Sequence, residues 1–208
     1  MANTTFSGAV RSKGGFTSIS ENSSTGAIST LSSISSTGVS SFDANTMAVE
    51  AGTGITTGSG TIYRSAVQRV GGIITTRILI DLTGLRSTGS GDIIGVNGTA
   101  LVCHIGQITA AKNGTVLTGS MECFEAPAGG DPDINIHSAT EGTGVEDGAI
   151  SSLSETLLVN AGDATLGSKV YFTAVPAADE FLYLTTGDAT DADYTAGKLF
   201  IEMMGYEA

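Results

Sequence analysis

Residues 61–82 read TIYRSAVQRVGGIITTRILIDL, and the way this stretch is parsed decides the fold class. Two runs rich in Ile, Val, Thr and Tyr flank Gly71-Gly72, which reads as a strand, a turn and a second strand. In the second run Ile74, Thr76, Ile78 and Ile80 alternate with Ile73, Thr75, Arg77, Leu79 and Asp81. The period is two, and both faces carry apolar side chains, so a central strand is expected here.

The same texture runs on towards the C-terminus. DIIGVNGTALVCHIGQI (92–108) contains Asn97-Gly98, and AAKNGTVLTGSMECFE (110–125) contains Asn113-Gly114. Asn-Gly is the strongest two-residue hairpin signal, so three strands are expected to meander through residues 92–125. A loop-rich acidic excursion follows, with a short strand at residues 134–137. SETLLVN, SKVYFTAV, EFLYLTTG and GKLFIEMMGY then supply four more strands, separated by Gly, Asp and Pro turns. A strand every 8–15 residues with few helix signals predicts an all-β body at residues 61–208, a β-sandwich and first of all a jelly roll.

Residues 1–60 have a different composition. STGAISTLSSISSTGVSS (24–41) is uncharged, and eleven of its eighteen residues are Ser or Thr. Disordered tails are usually charged, whereas this segment spaces Ile28, Leu31 and Ile34 evenly. It reads as an extended Ser/Thr/Gly-rich N-terminal arm that orders against a partner.

Charge narrows the possible functions. The chain has 208 residues, 29 of them Gly, with 14% charged residues and a net charge of −12. Residues 1–86 carry six basic and four acidic groups, residues 87–208 three basic and seventeen acidic. An acidic C-terminal body repels phosphates and argues against nucleic acid as a partner. So low a charge content suggests surface that partners cover, and a homo-oligomer, trimer or dimer, is expected. No run of 18 apolar residues marks a membrane span. The N-terminus MANTTFSGAVRSKGG lacks the apolar stretch of an export signal, so synthesis in a cytoplasm is expected. With two Cys there is no disulfide framework.

The candidate chemistry is sparse. Cys103 and His104 are neighbours in an expected strand, which sends their side chains to opposite faces. Shifting the Asn113-Gly114 hairpin by one residue pairs Cys103 with Cys123 and gathers Leu101, Ile105, Leu117 and Met121 on one face. Both thiols then read as small buried hydrophobes. Counted as a calcium loop from Asp191, Asp193 and Glu202 fall at ligand positions, but Ala196 stands where Gly is needed and residues 198–204 read as a strand. Asp188, Asp191 and Asp193 therefore read as a solvated turn, and so do Asp131 and Asp133 around Pro132. The glycine pairs at 52/54, 58/60 and 89/91 open no helix and make no phosphate loop. No catalytic constellation, metal set or cofactor motif emerges, and the chain does not read as an enzyme.

TTFSGAVRSKGGF (4–16) resembles the opening of virion structural proteins of tailed, especially marine, phages, in a motif carried here by Phe6, Ser7, Gly8, Val10, Arg11, Gly15 and Phe16. Ala9 stands where Pro is frequent. TDADYTAGKLFIEMMGY (190–206) is similar to their last hairpin, and the resemblance covers about a third of the chain, at its two ends. It implies a capsid decoration or cement protein on the outer surface of an icosahedral head. The major capsid protein would be its partner, with Phe6, Arg11 and Phe16 as contact residues. A carbohydrate- or receptor-binding module of a tail fibre is the alternative.

Overall fold

A computed structural model describes residues 16–22, 24–34, 40–42, 48–98 and 100–207. The chain divides into two compact units, Met1–Met47 and Ala48–Ala208. In the first, β1 (Phe16–Glu21), β2 (Ile28–Ile34) and β3 (Ser40–Phe42) form an antiparallel sheet in that order. The Ser/Thr-rich stretch, expected to be an extended arm, thus supplies two paired strands, β2 and β3. Asn22 builds the β1–β2 turn: its Oδ1 accepts from the backbone N–H groups of Ser24 and Thr25, the use of a short polar side chain that favours turns.

The second unit begins with a four-residue helical turn α1 (Thr53–Thr56), then β4 (Ile62–Val70), β5 (Ile73–Asp81), β6 (Arg86–Ser87) and β7 (Gly106–Gln107). A second helical turn, α2 (Ala110–Asn113), leads into the long strand β8 (Thr115–Ala128). After it come β9 (Ile134–Ala139), β10 (Glu155–Val159), β11 (Lys169–Tyr171), β12 (Phe181–Thr186), β13 (Ala192–Asp193) and β14 (Ala196–Tyr206). A five-stranded sheet has the order β11-β8-β14-β5-β4, a four-stranded one β10-β9-β12-β7, and β13 pairs β6. Every pairing is antiparallel. The two larger sheets contribute to one hydrophobic core, Ile74, Ile78, Ile80, Leu199, Ile201 and Met203 from the first and Ile134, Ile136, Leu182 and Leu184 from the second. The body is a β-sandwich. Its jelly-roll refinement goes no further than the sequence expectation.

The opening hairpin is as read. Val70 pairs with Ile73 across Gly71-Gly72, and both glycines have positive φ, 59° and 81°, the backbone that keeps the right-handed twist of the flanking strands. Ile74, Thr76, Ile78 and Ile80 are buried, and β5 lies between β14 and β4 as an interior strand needs.

Three expectations are corrected. First, residues 48–60 belong with the body: Val49 and Ile55 are in its core, and Gly52 and Gly54 donate to the His104 and Val102 carbonyls. A Cβ on Gly52 would come within 2.1 Å of the Val102 carbonyl oxygen, so close an approach of two backbones needs glycine. Second, no three-strand meander fills residues 92–125. Asn97-Gly98 is a turn, but its flanks pair elsewhere, Gly95 with Arg86 and Val102 with Val145. Asn113 ends α2 instead of a hairpin loop, because its amide is used inside: Nδ2 donates to Thr76 Oγ1 at 2.7 Å and Oδ1 accepts from the Thr109 N–H at 2.9 Å. Third, Cys103 does not pair with Cys123. Cys123 lies opposite Leu199 in the β8–β14 ladder, and Cys103 sits outside any strand. Both thiols are free and buried, in keeping with their reading as small hydrophobes.

Candidate functional site

Of the three residues singled out as partner contacts, Phe6 and Arg11 lie outside the described residues, and Phe16 opens β1 opposite Ile34. The other candidates resolve into structural roles. The Cys103 thiol donates to the Leu101 carbonyl, and burial pushes its pKa up to about 11, so it stays protonated and unreactive near neutral pH. The His104 ring packs on Phe181, centroids 5.0 Å apart, and burial lowers its pKa, keeping it neutral. Among the described residues no group of three or more His, Cys, Asp or Glu side chains is placed to hold a metal ion. No helix among them is long and apolar enough to cross a membrane.

Asp191 and Asp193 are held by a residue that sequence reasoning left unused. The Arg86 guanidinium lies 2.7 Å from Asp191 Oδ1 and 3.0 Å from Asp193 Oδ1, where β6 meets β13. Beside this clamp a cleft of about 630 Å³ opens, lined by Arg86, Thr88, Asp92, Glu146, Asp147 and Asp191 among others. Its charges are largely spoken for. Asp92 Oδ2 accepts from the Gly89 N–H at 2.8 Å, and Glu146 Oε2 from the Gly98 N–H at 3.2 Å. These carboxylates hold loops together, and Asp92 Oδ2 also accepts from the Thr88 hydroxyl at 3.3 Å.

Asp131 is a second structural node. It is fully buried, and its two carboxylate oxygens accept from the backbone N–H groups of Asp133 and Asp188. Its carbonyl accepts from the buried Tyr194 hydroxyl at 2.8 Å. The expectation of a solvated turn around Pro132 is corrected: the turn is there, but Asp131 is buried in it. That the turn is stitched to the β12–β13 loop depends on pairings no local pattern carries.

The most distinctive surface is the outer face of the five-stranded sheet. Strand alternation points Arg64, Arg77, Lys169 and Lys198 outward, with Asp81, Glu122, Glu125 and Glu202 as partners in the register. Arg77 pairs with Glu202 at 2.7 Å, Lys169 with Glu122 at 3.4 Å, and Lys198 with Asp81 at 3.3 Å and also with Glu125. Three cations thus meet four anions, and Arg64, opposite Leu79 in the register, brings the face to neutrality. Between them the Phe124 and Phe200 rings stack, centroids 5.2 Å apart and planes inclined by 12°, and Lys169 lies 5.9 Å from the centroid of the Tyr171 ring. The outward position of Phe200 follows from its place between Leu199 and Ile201. That Phe124 meets it depends on an irregularity in the β8–β14 ladder between Lys198 and Leu199, which the sequence does not display.

No family model, no curated protein and no solved structure matches the chain.

Proposed function

We propose that the protein is a structural virion protein, a decoration or cement protein on the outer surface of a tailed-phage head. In this reading the N-terminal segment, through Phe6, Arg11 and Phe16, docks on the major capsid protein, and the β-sandwich body stands on the shell as a homo-oligomer. The observation that carries it is the division of the chain at Met47 into two compact units, the first bearing the motif that resembles the opening of phage virion proteins. A body with its own core needs no help to fold, which frees the preceding segment to act as an anchor. The acidic body disfavours contact with packaged nucleic acid. The test is to delete residues 1–20 and measure retention on purified heads together with the melting temperature. Loss of retention with unchanged melting is the expected result, along with hundreds of copies per particle for the full chain. Full retention of the truncated protein overturns the anchor.

One observation favours a second reading, a carbohydrate-binding module of a tail fibre. The Phe124–Phe200 stack and the exposed Tyr171 put aromatic rings on the outer face of the sheet, the kind of side chain against which sugar rings pack. Glycan-array binding that is lost in Tyr171→Ala, with few copies per particle, would favour it over decoration.

A further inference from the structure

We infer that the outer face of the five-stranded sheet is a self-association surface, and that two copies of the chain pack through it face to face about a two-fold axis. The inference stands on the body alone and does not depend on the virion reading.

Charge selects the occupant. The residues of the body carry nineteen acidic and seven basic groups, a net −12. The outer sheet face takes four of each and is neutral. The other fifteen acidic groups, set against Arg69, Arg86 and Lys112 alone, place the whole excess negative charge on the remaining surface. Two bodies that approach by their remaining surface bring its excess negative charge together, whereas this face meets its own copy without a net charge penalty.

Apolar surface is concentrated on the same face. Among the described residues thirteen large hydrophobic side chains are exposed, and seven of them lie on this face or its rim, Tyr171 and Val70 the most exposed at 66% each. Met204, Tyr206 and Ile73 form one end, the Arg77–Glu202 pair follows, and Phe124 lies towards the other end beside the Lys198 pairs. Apolar anchors among paired charges, with aromatic residues and Met enriched, is the composition of protein interfaces.

Area and symmetry fix the form. Four strands about nine residues long, about 4.8 Å apart and rising about 3.3 Å per residue, give a footprint of about 600 Å² before β11 is counted. Two such faces remove about 1,200 Å² from water, the lower bound of a specific interface. A patch that covers itself is isologous, which requires a two-fold axis and a dimer, not a trimer. Packed sheets then lie about 10 Å apart, as inside a sandwich.

The experiment is sedimentation equilibrium of the full-length chain across the micromolar range, on the wild type, Tyr171→Glu, Met204→Glu and the control Leu157→Glu. Leu157 is exposed on β10, a strand of the other sheet. The wild type and the control should give about twice the 20.9 kDa of one chain. Each face variant should weaken association at least tenfold while circular dichroism shows the same sheet content and melting. All three side chains already meet solvent, so the fold tolerates the change; a face variant that fails to fold is replaced by Tyr171→Ser, which removes the ring without adding charge. Raising the ionic strength should tighten the wild-type dimer, because salt screens the repulsion of the acidic remainder. A wild type that stays monomeric, or a dimer that survives intact in the folded face variants, overturns the inference.

Discussion

Two residues show how far a single side chain reaches in this fold. Asn113 is buried and spends its amide on two partners, Thr76 and Thr109. Replacing it with Ala leaves the Thr109 N–H and the buried Thr76 hydroxyl without those bonds, at a cost of about 1–3 kcal/mol. Chemical denaturation of Asn113→Ala should show a lower midpoint with an unchanged slope. Asp133 is the opposite case. One of its carboxylate oxygens is buried and has no hydrogen-bond partner among the described residues. Burial raises its pKa first of all, and the charges of Asp131, Asp188 and Asp163 raise it further. Asp131 is raised as well, by burial first and then by Asp188 and Asp163, against its backbone hydrogen bonds. A carboxyl whose folded pKa lies above its unfolded one favours folding most when protonated. The contribution of this pair is therefore fully present below the ordinary value of 3.8 and is lost as pH rises through the elevated folded values. Asp133→Asn removes the repulsion and should raise Tm at pH 7 by about 1–3 °C, on a scale where about 1 kcal/mol moves Tm by about 2–4 °C. The gain should vanish at acid pH. An equal gain at pH 3 and pH 7 would refute the charge argument.

At the scale of elements, the β4–β5 hairpin is specified locally and the rest of the sheet is not. Gly71 and Gly72 hold φ of 59° and 81°, and a Cβ on either would meet nothing within 4 Å. The cost of Ala at either site is thus backbone strain alone, about 1–2 kcal/mol. Asn, which visits this region more readily, should lose less than Ala at Gly71. Thermal melts of Gly71→Ala, Gly71→Asn and Gly72→Ala check the order. Asn97-Gly98 and Asn113-Gly114 look as strong in sequence and make no hairpin. What separates them is whether the flanking segments find each other. Around residues 71–72 the two runs have matched nine-residue alternation. Around residue 113 the preceding segment instead runs beside β12, where Ile105 and Ile108 donate to the Leu182 and Glu180 carbonyls.

The boundary between the two units is a property of the whole molecule. Val49 and Ile55 are buried in the body's core, so a body cut at residue 60 loses two apolar side chains, each contributing about 1.5–3 kcal/mol when fully buried. A fragment of residues 48–208 should melt close to the full chain, whereas residues 61–208 should melt well below it. Calorimetry of the two fragments decides. Equal melting of both would mean that residues 48–60 add nothing to the body.

The sequence by itself determined the class of the fold, the strands from β8 to β14 apart from the short β13, the β4–β5 hairpin, and the acidic balance of the body. Each of these rests on a short-range signal, period-two alternation, a glycine pair or a sum of charges, and such signals survive without knowledge of neighbours. The tertiary structure alone decided the place of residues 48–60, the course of residues 92–113, the Arg86 clamp on Asp191 and Asp193, and the buried Asp131 node. In each case the partner lies far along the chain, and a side chain's role was set by which long-range pairing excluded water around it. The same holds for the outer sheet face. Its eight charged residues are scattered from 64 to 202 in the sequence, and only the register of five strands brings them into one neutral surface.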